Sequence, residues 1–394
     1  MNTSDAFADL SCRSCGAHVG AGSGTSRCPD CGDFLEPSYE HDVVGEVGID
    51  SGSDGHDDMW GHDWLLPVPS ETAVTMGEGG TPAVSCPDLA ESVGVDRLVL
   101  KDEGHNPTGS IRDRELSVAV TAARECGAET VALPSTGDAA QSAAAYAARA
   151  GLSSRAFLPS RANFTAKAMV NVHGGEMSVV EGRYGDAASA FEDASAESVH
   201  SVAPFGTPYR VEGAKTLLFE LVESFGDVPD AVVVPTAHGV TLLGIYRGAR
   251  ALEHRGLTTS VPRLYAAQPG GCAPIVEAFE ARADDTEPVQ HPDTICGALE
   301  VPDPTAGTWI LDAIRASGGG AVAVDDDAIL EAATAVAARA GLEPDVACGA
   351  AVAAAEELVD SGDIDTTDEV VVVNTATGNK EADVLRSHLM SKGI

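Results

Sequence analysis

The stretch Lys101-Asp-Glu-Gly-His-Asn-Pro-Thr-Gly-Ser-Ile-Arg112-Asp-Arg114 decides the fold because it joins two different sequence patterns. The apolar run at 97–100 comes before its polar part and predicts a buried strand. The Ala-rich stretch at 116–126 follows it and predicts a helix. The sequence therefore predicts a strand, a polar loop and a helix, with Arg112 close to the point where the loop enters the helix.

Strand and helix patterns alternate along the rest of the chain. Further apolar runs that predict buried parallel strands are 130–133, 231–234 and 369–373. Further helices are predicted at 139–150, 213–225, 328–340 and 349–359. This alternation predicts an α/β fold of open parallel sheets flanked by helices. In such sheets the ligand binds at the carboxyl ends of the strands, where loops lead into helices.

Four such loops and one turn carry a family resemblance. They are the 101–114 stretch, Pro134-Ser-Thr-Gly-Asp138, Val234-Pro-Thr-Ala-His-Gly-Val-Thr241, Asn374-Thr-Ala-Thr-Gly-Asn-Lys380 and Gly77-Glu-Gly-Gly-Thr-Pro82. In content and order they resemble segments of threonine synthases, which are tryptophan-synthase-β-like, fold type II pyridoxal-phosphate-dependent enzymes. The resemblance implies a two-lobed architecture, with a large α/β lobe at 64–112 and 206–394 and a smaller α/β lobe at 113–205.

Arg112 stands where this family keeps the lysine that bonds the cofactor. A Schiff base needs an amine that can lose its proton and attack an aldehyde, whereas a guanidinium stays protonated above pH ~12. A guanidinium is better suited to clamping a phosphate or carboxylate. No other lysine is a candidate replacement: the family also shows lysine at the positions of Lys101, Lys215 and Lys380, and the remaining two are Lys167 in the smaller lobe and Lys392 near the chain end.

The loop at 134–138 is the expected substrate-binding loop. By resemblance, Ser135, Thr136 and Gly137 hold the substrate carboxylate at the start of a helix, where free N–H groups suit an anion. Asp138 replaces the family's asparagine, which donates a hydrogen bond to the ring oxygen of the cofactor. An ionised carboxylate only accepts, so Asp138 has a second interpretation as an ordinary helix N-cap.

The loop at 234–241 stands where the family wraps the cofactor phosphate with a glycine-rich turn. Glycine is needed there because a Cβ would obstruct close approach and some positions require positive φ. Only Gly239 remains, while Thr241 and the helix N-terminus still offer donors to an anion. His238 is interpreted either as a phosphate partner or as a solvated loop residue.

Thr375 completes the expected cofactor contacts, because the resemblance places its hydroxyl near the ring nitrogen. The segment Gly341-Leu-Glu-Pro-Asp345 is similar to a Glu-Pro-Ala-Ser turn of the family, but Asp345 and Val346 replace the small residues. The amine, the ring-oxygen donor and the phosphate glycines have all changed together. We therefore expect relaxed binding of pyridoxal phosphate through Asp138, Gly239, Thr241 and Thr375.

Two CxxC pairs, Cys12-Arg-Ser-Cys15 and Cys28-Pro-Asp-Cys31, predict a metal site near the N-terminus. Two tight turns at this spacing present four thiolates tetrahedrally to zinc. Because protein fills all four positions, the expected zinc is structural and belongs to a zinc ribbon at 1–40. The sequence has neither a signal-like start nor eighteen consecutive apolar residues, so we expect a cytoplasmic protein.

Residues 41–63 are rich in Gly, Ser and Asp, which predicts a flexible linker. His41, His56 and His62 lie within it. A second metal site is one interpretation of these histidines, and solvated linker side chains are the favoured one.

The formal net charge is −37, from 24 basic and 61 acidic residues that are spread along the chain. Such a surface repels nucleic acid and anionic membranes, so neither is an expected partner. The composition resembles that of proteins from halophilic, salt-accumulating microbes. In such a cytoplasm a Debye length of ~3 Å at 1 M salt screens the repulsion between the acidic residues.

These observations leave three functional hypotheses. The favoured one is a catalytically inactive or impaired paralogue that binds a small anionic, amino-acid-like metabolite or a partner subunit, as a homodimer or with an active paralogue. The second is an active lyase that converts O-phosphohomoserine to threonine and phosphate, as the resemblance implies. The third is a cleft that binds the cofactor without a covalent bond and acts slowly on preformed adducts.

Overall fold

The computed structural model describes residues 1–23, 25–40, 58–194 and 199–393. The chain divides into two compact units. The first unit comprises Met1–Gly80, Arg112–Glu223 and Arg250–Thr259. The second unit comprises Thr81–Ile111, Ser224–Ala249 and Ser260–Ile394.

Strands and helices alternate in both units, as the sequence predicts. The strands are β1 (Phe7–Cys12), β2 (His18–Val19), β3 (Leu35–Tyr39), β4 (Ala83–Ser85), β5 (Arg97–Asp102), β6 (Thr130–Pro134), β7 (Ser153–Pro159), β8 (Glu176–Val180), β9 (His200–Ser201), β10 (Ala231–Pro235), β11 (Arg263–Pro269), β12 (Gly320–Val324) and β13 (Glu369–Asn374). The helices are α1 (Pro87–Val93), α2 (Arg112–Glu125), α3 (Asp138–Ala150), α4 (Phe164–Val172), α5 (Tyr184–Ala194), α6 (Arg210–Phe225), α7 (Val240–His254), α8 (Pro274–Glu280), α9 (Gly307–Ala316), α10 (Asp326–Ala340), α11 (Val346–Ser361) and α12 (Ala382–Ser391). The four strands and five helices predicted from the sequence are all confirmed.

The first unit contains a small antiparallel sheet and a parallel sheet. The antiparallel sheet has the order β2-β1-β3 and carries the N-terminal cysteines. The parallel sheet has the order β8-β7-β6-β9 and lies inside the range expected for the smaller lobe. The lobe boundaries themselves stay a prediction.

The second unit contains a six-stranded sheet with the order β12-β11-β10-β13-β5-β4. All neighbouring strands are parallel except the edge pair β4 and β5. Every residue of β10 is buried, as is every residue of β13 after Glu369, which fits strands covered on both faces. The predicted α/β fold of parallel sheets flanked by helices is therefore confirmed.

Helices α2 and α6 cross closely at Gly213. A Cβ at this position would lie 2.0 Å from the backbone oxygen of Arg114, so no larger residue fits without moving the helices apart. Arg114 itself is fully buried and donates to both carboxylate oxygens of Glu220, at 2.5 and 2.7 Å. This crossing fixes the first turn of α2, where Arg112 lies.

Glu78 connects the segment between β3 and β4 to helices α2 and α3. Its carboxylate is completely buried and accepts hydrogen bonds from the Trp60 indole at 2.7 Å, the Tyr146 hydroxyl at 2.8 Å and the Met76 N–H at 2.9 Å. Ser117 on α2 also donates to it. A buried carboxylate that accepts this many bonds is satisfied without leaving the core.

The last residues of the linker predicted at 41–63 are folded. Residues 41–57, with His41 and His56, lie outside the described residues. The remainder is folded, because Met59–Leu65 forms a 3-10 helix whose Met59 and Trp60 are buried. Aromatic and thioether side chains at the end of a Gly- and Ser-rich stretch gain more from burial than from solvation.

The expectation that His62 is solvated is wrong. Its side chain is buried, its ring packs edge-on against Phe219 at 5.4 Å, and its Nε2 lies 3.6 Å from a carboxylate oxygen of Glu223. Neighbouring apolar residues carry the imidazole into the core together with Trp60.

Within the described ranges, no helix combines the length and apolar content that a membrane crossing needs.

Candidate functional site

Arg112 is the first residue of α2, and its guanidinium is already engaged by the protein. Nη1 of Arg112 forms an ion pair with Glu115, one turn further along the helix. The Arg112 side chain is 22% exposed, whereas that of Glu115 is completely buried. The position expected to supply an amine therefore supplies a cation held against a buried carboxylate.

Arg210, the first residue of α6, shares the same carboxylate. Its Nε donates to Glu115 Oε2 at 2.8 Å, a second nitrogen pairs with the same oxygen, and Nη1 donates to the carbonyl of Val202 at 3.2 Å. Burial alone would raise the pKa of Glu115, but the positive charges of Arg112 and Arg210 lower it below the ordinary value. Glu115 is therefore ionised at neutral pH and joins the first turns of α2 and α6.

The Asp-Arg pair after Arg112 is structural. Asp113 is buried and accepts a hydrogen bond from the Ser142 hydroxyl of α3 at 2.6 Å. Arg114 is held by Glu220 on α6, as described above, and also donates to Thr216 at 3.0 Å. These contacts hold α2 against α3 and α6.

The expected substrate loop lies at the carboxyl end of β6, in the first unit. The Ser135 hydroxyl accepts from the N–H groups of Gly137 at 3.0 Å and Ala140 at 3.1 Å, so it shapes the start of α3. This hydroxyl retains one hydrogen to donate. Thr136 is partly exposed and Gly137 is buried.

Asp138 is the first residue of α3, and the N-cap is Gly137. The interpretation of Asp138 as the N-cap is therefore wrong, and the Ser135 hydroxyl already accepts from the Ala140 N–H that a capping side chain would bind. A carboxylate is favoured at this position by the positive end of the helix. It cannot donate the hydrogen bond that the family's asparagine donates.

The expected phosphate loop lies between β10 and α7, in the second unit. The N–H groups of Gly239, Val240 and Thr241 donate to no acceptor in the part of the chain that the structure describes. They are the orphan donors of a helix start and suit an anion. The Thr241 side chain is buried beside them.

Gly239 is required by packing as well as by conformation. Its φ is +82°, and a Cβ would lie 2.6 Å from the side chain of Ile310 on α9. His238 is also buried, with Nδ1 3.3 Å from the Thr305 hydroxyl, so its interpretation as a solvated loop residue is wrong. Ile310 therefore packs against the loop at a place where the family resemblance implies a glycine-rich turn.

Thr375 follows β13 in the second unit and is tied to Asp345. Its hydroxyl donates to Asp345 Oδ2 at 2.5 Å, while Asp345 Oδ1 caps α11 through the Cys348 N–H at 2.7 Å. Asn374 joins this group by accepting from the Asp345 N–H at 3.1 Å and donating to Asp102 at 2.7 Å. Since its proton is used, the Thr375 oxygen can only accept from a ligand.

The described lysines are engaged elsewhere in the protein. Lys380 is buried and has an interaction partner within the protein. The other Nζ atoms contact the Thr81 carbonyl (Lys101, 2.6 Å), the Ser160 carbonyl (Lys167, 2.8 Å), the Leu65 carbonyl (Lys215, 2.9 Å) and the Glu331 carboxylate (Lys392, 2.5 Å). None is a relocated free amine.

Cys12, Cys15, Cys28 and Cys31 form a cluster that can hold a metal ion. Their sulfur atoms all lie within 4.8 Å of one another, and the pairs Cys12–Cys31 and Cys15–Cys28 are 3.5 Å apart. Four sulfurs at about 2.3 Å from a central zinc ion would be about 3.8 Å apart, so the donor set and spacing fit.

The residues that face pyridoxal phosphate in the family do not fit a covalently held cofactor here. In the first unit, Arg112 offers no nucleophilic nitrogen and Asp138 offers no donor. In the second unit, the free N–H groups at 239–241 and the Thr375 oxygen still fit a small anion or a protonated nitrogen.

Sequence reasoning missed three participants. Glu115 was detectable, because an acid three residues after an arginine on a helix predicts an ion pair. Arg210 and Ile310 gave no local signal, since they reach Glu115 and Gly239 only through the tertiary fold.

Comparisons with known proteins agree with the architecture. A profile described as pyridoxal-phosphate dependent enzyme matches residues 74–376. Threonine synthase of Methanocaldococcus jannaschii is 35% identical over 361 residues, which cover 90% of this chain and 88% of that protein. Threonine synthase of Methanosarcina acetivorans is 34% identical over 368 residues, which cover 93% and 90%.

Solved structures with this fold include maize serine racemase, with a TM-score of 0.66, 20% identity and coverage of 80% of this chain and 94% of that one. A fungal L-serine ammonia-lyase from Rhizomucor miehei has a TM-score of 0.66, 18% identity and coverage of 78% and 97%. At this identity the likeness shows the fold alone, and it confirms the expected fold type II architecture.

Proposed function

The chain belongs to the pyridoxal-phosphate-dependent enzymes and is threonine synthase-like, and on that premise we propose that it is a catalytically inactive or impaired member. In this proposal it binds a small anionic, amino-acid-like metabolite without a covalent bond to the cofactor. It assembles as a homodimer or with an active paralogue, and its cysteine cluster holds a structural zinc ion.

One observation carries the proposal, namely the ion pair between Arg112 and the buried Glu115. A guanidinium stays protonated at any physiological pH, and this one is paired with a buried carboxylate. It has no lone pair with which to attack an aldehyde. The cofactor, when bound in this family, acts as an electron sink; here the protein lacks the group that would attach it.

The ligand class follows from the groups that remain. The N–H groups of Gly239, Val240 and Thr241 and the start of α3 after Ser135 both favour negative charge. The first group suits a phosphate and the second a carboxylate. Each group can be tested with a small anionic amino acid, and O-phosphohomoserine, the substrate that the family resemblance implies, is the first one to test.

The alternative is an active lyase that converts O-phosphohomoserine to threonine and phosphate. It is favoured by the 35% identity to a threonine synthase across 90% of the chain. That reaction would need an amine from a lysine that the fold holds elsewhere, or a cofactor held without a covalent bond.

Spectroscopy and calorimetry on the purified full chain in concentrated salt separate the two functions. We expect no visible band of a protein-bound lysine adduct when pyridoxal phosphate is added, together with measurable heat on titration with O-phosphohomoserine. A cofactor band with release of phosphate from O-phosphohomoserine would support the active lyase. The absence of both the band and the binding heat would contradict ligand binding.

A further inference from the structure

Glu115 has one carboxylate oxygen for each of two arginines. Oε1 pairs with Arg112 Nη1, and Oε2 accepts from Arg210 Nε at 2.8 Å and pairs with a second Arg210 nitrogen. The carboxylate is completely buried, as is Arg210. Position 112 is the first residue of α2, so any side chain there lies one helical turn from a fixed, ionised carboxylate.

Other charged groups near this cluster have partners of their own. Asp113 accepts a hydrogen bond from Ser142, and Arg114 donates to Glu220 through Nη1 and Nη2. Burial lowers the pKa of Arg210, and the charge of Arg112 adds to that shift, while Glu115 and, more weakly, Tyr184 on α5 oppose it. Glu115 is thus the carboxylate that acts on position 112.

An amine at position 112 would have to be neutral to bond the cofactor. The C=N bond forms when the nitrogen lone pair attacks the aldehyde carbon, and the two N–H hydrogens leave with the aldehyde oxygen as water. A carboxylate within about 4–6 Å stabilises the ammonium instead, by about 1–3 pKa units.

We infer that Glu115, held in place by Arg210, is a positioning residue that keeps any basic group at position 112 protonated and directed toward itself. The barrier to covalent cofactor attachment is therefore set by two residues, 112 and 115, and not by the arginine alone. This inference rests on the proposed function, in which the natural chain forms no covalent adduct.

The test compares variants of the full chain that carry a lysine at position 112. These are Arg112→Lys alone, Arg112→Lys with Glu115→Gln, and Arg112→Lys with Glu115→Gln and Arg210→Met, which removes the buried cation that the second change leaves unpaired. Arg112→Lys with Glu125→Gln is the matched control, because Glu125 ends the same helix far from its first turn. Each is mixed with excess pyridoxal phosphate between about pH 6 and pH 10, a range that brackets lysine titration, and reduced with borohydride.

Peptide mass mapping then gives the fraction of residue 112 that carries the cofactor at each pH. We expect the trapping midpoint of the Glu115→Gln variants to lie at least about one pH unit below that of Arg112→Lys, which is about tenfold more adduct at a given pH. The Glu125→Gln control should match Arg112→Lys. Circular dichroism shows which variants are folded. If Arg112→Lys with Glu115→Gln does not fold, the triple variant with Arg210→Met decides the result.

Two outcomes would overturn the inference. Identical pH profiles with and without Glu115 would show that this carboxylate does not control residue 112. No trapping at residue 112 in any folded variant would place the barrier elsewhere in the protein. An adduct on the unaltered chain is a separate result, since it would contradict the proposed function whatever the variants show.

Discussion

The two units have kept different parts of the chemistry that the family resemblance implies. In the first unit the position expected to hold the bonding amine is Arg112, which is paired with Glu115, while the start of α3 after Ser135 still suits an anion. In the second unit the expected groups are backbone N–H groups at 239–241 and the Thr375 hydroxyl, and the N–H groups remain available. The first unit therefore offers a guanidinium where the family resemblance implies an amine, while the second unit offers backbone donors that suit an anion.

Side-chain sites and backbone sites tolerate substitution differently. A Schiff base depends on one nitrogen of one side chain, so a single replacement removes it. An anion site made of N–H groups at a helix start tolerates new side chains, because every residue except proline supplies the donor. Val240 has replaced a glycine of the family turn without removing its N–H.

The largest expected effect is a difference in stability loss between two carboxylate replacements, one in each unit. Glu115→Gln leaves Arg112 and Arg210 beside an uncharged amide, and losing one partner of a buried ion pair costs about 3–5 kcal/mol of unfolding free energy. Asp345→Asn should cost about 1 kcal/mol or less, since an asparagine also caps a helix and Thr375 can turn its hydroxyl.

Denaturant unfolding of both variants in the same salt measures this contrast. Equal losses of unfolding free energy would contradict this expectation, because they would show that the Glu115 cluster stabilises the first unit no more than Asp345 stabilises the second. Circular dichroism before unfolding confirms that each variant starts from the native fold.

The next effect concerns the helix crossing that fixes the first turn of α2. Gly213→Ala should destabilise the protein by about 2–3 kcal/mol, because its Cβ would meet the Arg114 backbone oxygen at 2.0 Å and backbone cannot move aside cheaply. Gly185→Ala on α5 is the control, since nothing lies within 4 Å of its Cβ. It should gain up to about 1 kcal/mol from helix propensity. Thermal unfolding that ranks the two variants in the opposite order would contradict the close packing of α2 on α6.

The smallest expected effect is a difference in pH dependence. Burial opposes ionisation of Glu115, but Arg112 and Arg210 lower its pKa in the folded protein below 4.5. A lowered carboxyl pKa contributes stability that is fully present above the unfolded pKa and is lost as pH falls through the folded pKa. The stability gap between the unaltered chain and Glu115→Gln should therefore be widest near neutral pH and shrink below about pH 4.5. Unfolding curves at several pH values measure the gap, and a constant gap would exclude an ionised Glu115.

Sequence patterns predicted most of the fold because buried strands and Ala-rich helices have distinct periods. The run at 231–234 became β10, and the stretch at 139–150 became α3 with one added residue. The CxxC spacing likewise predicted the cysteine cluster, because its members are close in sequence.

The candidate site was less predictable, because its decisive contacts join residues far apart in the chain. Arg210 reaches Glu115 across 95 positions, and Ile310 fills the space beside Gly239. His62 appeared to belong to a polar linker, since local composition cannot register that Phe219 covers it. The N-cap interpretation of Asp138 failed for a similar reason, because the hydroxyl of Ser135, which lies before the helix, accepts from the Ala140 N–H.

The most direct measurement is intact-protein mass spectrometry of the unaltered chain after incubation with pyridoxal phosphate and borohydride reduction in concentrated salt. The threonine synthase of Methanocaldococcus jannaschii, treated identically, serves as the comparison. We expect this chain to keep its original mass while the relative gains one reduced cofactor. A stoichiometric cofactor mass on this chain, mapped to any one of its lysines, would contradict it.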